Sequence, residues 1–275
     1  MNSRLRLRRG AVSTGLAVTA GCLLLAGCGG SSDASTSSSG SAADPPSGGS
    51  TQLALVAYST PKKAYDALTT AFAQTSPGKG VAFSQSFGAS GSQSRAVASG
   101  QPADVVAFST SPDMTRLVKA KLVAPTWDAG PQKGISSDSV VVFVVRKGNP
   151  KHISGWDDLV KSGIDVITPN PSTSGSARWN ILAAYGAQLK EGKTPAEALQ
   201  YVHTLLTKNV SVQDSSASAA LQTFTSGKGD VLLDYESDAI AAEKAGDAVQ
   251  YIIPRQTILI AIGVSIRIVC LGMMY

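Results

Sequence analysis

Four times in this sequence a short apolar or β-branched run ends in a small, hydroxyl-rich loop and passes directly into a helical pattern. The clearest case is TPNPSTSGSARWN, Thr168 to Asn180. The others lie at Ser59, at Ser90, and at Ser215 to Ala217. Repetition of strand, tight loop and helix predicts an α/β fold with mainly parallel sheets, since parallel neighbours need a crossover of about helix length. Each junction is also an anion seat. The first-turn N–H groups of a helix have no intrahelical acceptor, and the macrodipole places about half a positive charge there.

The strands and helices between these junctions follow from local pattern. LALVAY (Leu53 to Tyr58) reads as a buried strand, followed by a helix with Tyr65, Leu68 and Phe72 on one face. VAFSQSF alternates as a strand does, and Ser90 with Gln93 forms a capping box for the next helix. ADVVAFS (Ala103 to Ser109) is a third strand, with Ser111 and Pro112 opening a helix; Asp104 is a turn residue at its start. SVVVFVVRKGNP (Ser139 to Pro150) is the most strongly β segment of the chain, long enough to cross between two lobes. A short helix around Trp156 to Val160, capped by Ser154, precedes IDVIT. After Ser174 a helix presents Trp179, Leu182, Ala183 and Gly186 on one face. Thr194, Pro195 and Glu197 open another, which carries Leu199, Val202 and Leu206 with His203 beside them. DVLLDYE ends a strand at Tyr235, and VQYIIP is a further strand.

The first 51 residues belong to none of this. Four of the 24 basic residues, Arg4, Arg6, Arg8 and Arg9, precede an apolar run and the sequence Leu25-Ala26-Gly27-Cys28, a lipoprotein-type export signal with Cys28 as the lipidated residue. Residues 29–51 are mainly Ser, Gly, Ala, Pro, Thr and Asp, a tether that has no core to form. Without the four leading arginines the basic and acidic counts nearly cancel, so the net charge of +5 argues for no nucleic-acid partner. The spacing of Cys22, Cys28 and Cys270 predicts no metal site and no disulfide in the folded part.

Converging strand-end loops define a ligand site, and these loops offer donors only. Such a site favours an oxyanion without protons, because an ionised carboxylate acceptor would repel it while hydrogen phosphate would seek one. A serine hydrolase is the rival class. His152 lies in a turn and His203 in a helix, and GASGS lacks the final glycine of a nucleophile elbow. No P-loop or dinucleotide fingerprint is present, and no cofactor is expected.

The ordered blocks QSFGASGSQSRAV, ADVVAFS, VVVFVVRKGNP, WDDLVKSG, VITPNPSTSGSARWN, DSSASAALQTF, GKGDVLLDYE and IIPRQTILI resemble the periplasmic sulfate-binding proteins of ATP-driven sulfate/thiosulfate importers. The resemblance covers about Leu53 to Ile260. It implies a type II two-lobed clamshell, not an enzyme, that captures sulfate or thiosulfate outside the cytoplasm and delivers it, as a lipid-anchored monomer, to an ABC permease and its ATPase subunits. By motif position it assigns backbone donors at Ser59 and Ser90, a hydroxyl donor at Ser174, and backbone donors at Gly175, Ser176 and Ala217. Tyr235 stands where the family usually has tryptophan, whose indole donates to the anion. Ser176 replaces a second glycine, and Ser218 an arginine.

The resemblance further implies a signal over residues 1–28, the tether to 51, lobe I over 52–138, a hinge strand over 139–147, lobe II over 148–248 and a return hinge over 249–256. Residues 257–275, ending AIGVSIRIVCLGMMY, depart from the family and resemble a shifted frame or truncated product, leaving lobe I incomplete. Alternatives to sulfate are phosphate or molybdate, a serine hydrolase, or an inactive truncated binder.

Overall fold

The computed structural model describes residues 51–266. Cys28, the export signal and tether, and the last nine residues lie outside the described residues.

The organising strand is β4, Ile135–Arg146. Its run of Val and Phe is buried on both faces at its carboxyl half, as expected of a strand covered on either side. It serves two sheets in succession. From Ile135 to Val140 it pairs antiparallel with β9 (Leu259–Ile266), which in turn pairs with β3 (Val105–Phe108). β3 neighbours β1 (Thr51–Tyr58), and β1 neighbours β2 (Val81–Gly88), both pairs parallel. From Val141 to Arg146, β4 pairs on one side with β8 (Val249–Ile252) and on the other with β7 (Val231–Tyr235). β7 leads through parallel pairs to β5 (Val166–Pro169) and β6 (Val210–Asp214). Two α/β halves thus meet at one crossing strand.

Every parallel strand delivers the chain to a helix. β1 leads to α1 (Lys62–Ala73), β2 to α2 (Ser90–Ala98) and β3 to α3 (Ser111–Lys119). In the second half β5 leads to α4 (Gly175–Lys190), which α5 (Pro195–Thr204) follows; β6 leads to α6 (Ala217–Thr225) and β7 to α7 (Glu236–Ala245). The second half has apolar cores on both faces of its sheet. On one face Trp156 packs edge-on against Phe143 with ring centroids 4.8 Å apart, and its indole N–H donates to the Gln256 carbonyl at 2.7 Å. The first half is built around Val106, Phe108, Met114 and Leu117.

Three local expectations are corrected. The Ser90–Gln93 capping box does not form: Ala89 is the N-cap, the Ser90 hydroxyl donates to Asp113 at 2.7 Å, and Gln93 bonds Ser86. Ser154 is not the cap of the short 3₁₀ helix Trp156–Val160; Gly155 is, and Asp158 reaches back to accept the Ser154 and Gly155 N–H groups. Desolvation of Asp158 alone would raise its pKa, but the Lys161 ammonium and these donors hold it far below the usual carboxylate range. Leu68, Leu182 and Leu199, assigned to apolar helix faces, are largely exposed, and His203 faces solvent. The α4 face that is buried runs instead through Ala177, Asn180, Ala183, Ala184 and Ala187. The Thr194–Glu197 capping box forms as expected, with Thr194 N–H donating to Glu197 at 2.8 Å and Glu197 N–H to the Thr194 hydroxyl at 3.3 Å.

Candidate functional site

The carboxyl ends of the parallel strands converge on a small cavity between the halves. Its volume, about 10 Å³ as room for the centre of a water molecule, is on the scale of a single small bound species such as one water. The first half contributes Ser59 and Thr60 after β1, Ala89 and Ser90 at the start of α2, and Ser109 after β3. The second half contributes Ser174, Gly175 and Ser176 at the start of α4 and Ala217 at the start of α6. Three helix N-termini therefore point at one small space. Six of the seven residues expected to touch a ligand line it. Tyr235, the seventh, is fully buried but is not in the wall.

The lining contains no carboxylate, ammonium, guanidinium or imidazole. Neither histidine is part of it, and among the described residues no group of three or more His, Cys, Asp or Glu is placed to hold a metal ion.

Local geometry decides which donors remain for a ligand. The Ser90 hydroxyl is committed twice, donating to Asp113 and accepting the Ser109 N–H at 3.1 Å, which leaves its main chain for the cavity. Ser174 is the N-cap of α4 yet makes no side-chain capping bond, while its N–H donates to Asn170 at 2.8 Å. Ser216, by contrast, caps α6 by accepting the Ala219 N–H at 3.2 Å. The hydroxyls of Ser109, Ser176 and Tyr235 are buried without a hydrogen-bond partner. Three unsatisfied hydroxyls this close to one cavity are unusual, since leaving such a group unpaired costs about 1–3 kcal/mol.

Contacts across the cavity hold the halves together. Gly91 N–H donates to the Thr173 carbonyl at 2.9 Å, the Trp179 indole donates to the Ser109 carbonyl at 2.7 Å, and the Thr60 hydroxyl donates to Asp238 at 2.9 Å. Arg178 of α4 also lies 3.5 Å from Asp113 of α3. Asp113 is fully buried, which alone would raise its pKa. Hydrogen bonds from Arg116, Ser90 and Thr110 and the charge of Arg178 reverse this and hold it below the usual aspartate value. It stays ionised and fixes the Ser90 loop. Sequence reasoning missed Asp113 and Ser109 as parts of this region. The one available signal was the hydroxyl run Ser109-Thr110-Ser111 closing β3, a fifth junction of the same type.

The family description "bacterial extracellular solute-binding protein" matches residues 53–270. The chain is 39% identical over 251 residues to a sulfate-binding protein of Synechococcus elongatus, covering 90% of this chain and 69% of the relative. It is 38% identical over 223 residues to a sulfate-binding protein of Salmonella typhimurium, covering 78% and 68% respectively. The solved structure of the sulfate-binding protein SubI from Mycobacterium tuberculosis H37Rv is 46% identical, with a TM-score of 0.78, covering 80% of this chain and 77% of that one. The chain thus spans little more than two thirds of the length of these two curated relatives.

Proposed function

The chain belongs to the bacterial extracellular solute-binding proteins, and from that premise we propose that it captures sulfate or thiosulfate in this cavity and delivers it to an ABC-type permease. The observation that carries the reading is the cavity wall itself: a small space between two halves, faced by helix N-termini and hydroxyls and by no charged side chain. A dianion stripped of water needs many donors, and charge-assisted hydrogen bonds contribute about 1.5–3 kcal/mol each. Ser59, Ser90, Gly175, Ser176 and Ala217 are suited to donate through the main chain and Ser174 through its hydroxyl. With no carboxylate in the wall, hydrogen phosphate finds no matched acceptor for its proton. The names borne by the relatives support the same ligand class.

In this reading the protein is a binder rather than an enzyme, exported and held at the membrane by a lipid on Cys28, and acts as a monomer. Ligand held by both halves stabilises the closed arrangement and shifts the population toward it. Isothermal titration of the full chain with sulfate tests this directly, followed by competition with thiosulfate, phosphate and molybdate. Heat with phosphate and none with sulfate would refute the donor-only reading. Ser174→Ala is expected to weaken sulfate binding about tenfold or more while the melting temperature of the ligand-free protein stays within a degree or so. Unchanged affinity would remove Ser174 from the site.

A further inference from the structure

Ser109 has three roles in the structure and one unfilled capacity. Its N–H donates to the Ser90 hydroxyl, its carbonyl accepts the Trp179 indole from the opposite half, and it forms part of the cavity wall. Its hydroxyl is only 1% exposed as a residue and has no partner. That hydroxyl lies against Gly175, the first residue of α4, at a spot where a side chain on Gly175 would otherwise stand. It therefore sits between the two halves, beside the helix end whose free N–H groups face the same cavity.

Behind it stands a second unfilled group. The Tyr235 hydroxyl lies within interaction range of the Ser109 hydroxyl in a wholly buried setting, yet neither makes a hydrogen bond of ordinary length and angle. A hydroxyl has one proton to give and lone pairs to receive, so two adjacent hydroxyls can satisfy each other only in sequence. An anion without protons sets the direction of that sequence, because it can only accept.

We propose that Ser109 is a direct ligand of the bound oxyanion, donating its hydroxyl proton to it, and that Tyr235 acts through Ser109 by donating to the serine oxygen. This rests on the functional reading above and deepens it by naming a side-chain donor from the first half. The chain Tyr235 to Ser109 to anion fills both orphan hydroxyls at once, and each bond polarises the next. It gives Tyr235 a route to the ligand although Tyr235 does not reach the cavity wall. It also gives the serine oxygen a single orientation, which is worth more to a fixed anion than a freely rotating hydroxyl.

Titration calorimetry of the full chain with sulfate tests the proposal through three variants. Ser109→Ala is expected to lose about 10- to 100-fold in affinity, the range of a lost charge-assisted donor. Tyr235→Phe is expected to lose about three- to tenfold. The double variant should be no weaker than Ser109→Ala within about twofold, because the tyrosine has nothing left to act through. Ser109→Ala removes an atom with no intramolecular bond, so its ligand-free melting temperature should match that of the parent. Parent-like affinity in Ser109→Ala, with Ser174→Ala still weakened, overturns this inference alone. A Tyr235→Phe loss that persists undiminished on the Ser109→Ala background overturns the relay. A parent protein that binds neither sulfate nor thiosulfate overturns the functional reading and this inference with it.

Discussion

Gly175→Ala should weaken sulfate binding by more than about 100-fold while leaving each half folded. A Cβ at this position would fall far inside contact distance of the Ser109 hydroxyl oxygen and 2.9 Å from the Thr110 methyl. Both atoms belong to the opposite half. Nothing in the backbone of Gly175 calls for glycine, since it begins α4 without a positive φ. The residue is small because another half of the molecule closes onto it. Alanine therefore leaves α4 intact and keeps the halves apart by roughly a methyl group, which breaks the Gly91–Thr173 and Trp179–Ser109 bonds and withdraws the first-half donors. A shift of about 1 Å is enough to abolish hydrogen-bond geometry around an anion.

Gly186→Ala is the internal control. It lies in the same helix with open space around the new methyl, so it should leave affinity unchanged and add up to about 1 kcal/mol of stability. Calorimetry with sulfate and thermal melts of both variants decide the matter. Gly175→Ala binding within about threefold of the parent would show that the halves do not need this approach.

How much of this was legible beforehand depended on whether the cause was local. The Val-rich β4 announced itself because a strand covered on both faces needs continuous apolar residues, and the structure indeed runs it through both sheets. The strand, Ser/Gly loop and helix of residues 168–180 were legible for the same reason, as was the Thr194 cap. Leu68, Leu182 and Leu199 were misassigned because helical spacing shows which residues share a face, not whether anything covers that face. The Ser90 box failed because a buried carboxylate 23 residues away outbid the local cap for the same hydroxyl. Beyond its hydroxyl run at the end of β3, nothing in the sequence marks Ser109 as a candidate donor, because its setting comes from Trp179 and Gly175, some 70 residues further along and on the other side of the cavity. Tyr235 enters only through the motif resemblance, and its place behind the wall could not be read from sequence, since its depth depends on how β7 packs in the second sheet.

Asp238→Asn should make the protein more stable above pH 7 and leave it nearly unchanged near pH 4. Asp234 and Asp238 form a buried pair at the junction of β7 and α7, and among the described residues no cation forms an ion pair with either. The groups that face them are Tyr58 from β1, Thr60 from the loop after it, and Tyr235, whose N–H donates to Asp234 at 2.9 Å. Burial, and then the Asp238 charge, push Asp234 well above the carboxylate range. Burial likewise pushes Asp238 up from 3.8 to about 6, against the opposing bonds from Thr60 and Asp234. A carboxyl whose folded pKa exceeds its unfolded one binds its proton more tightly in the native state. The contribution of this pair to stability is therefore full below pH 4, falls as pH rises from about 4 to 6, and stays lower above that by an amount on the order of 3 kcal/mol for Asp238. Asparagine removes the charge, still accepts the Thr60 hydroxyl and can offer its amide to Asp234. Melts of parent and variant from pH 4 to pH 8 should coincide at the acid end and diverge by several degrees at the other. Equal melting temperatures at both ends, or a variant that is less stable at pH 8, would mean that the pair is solvated and carries no such penalty.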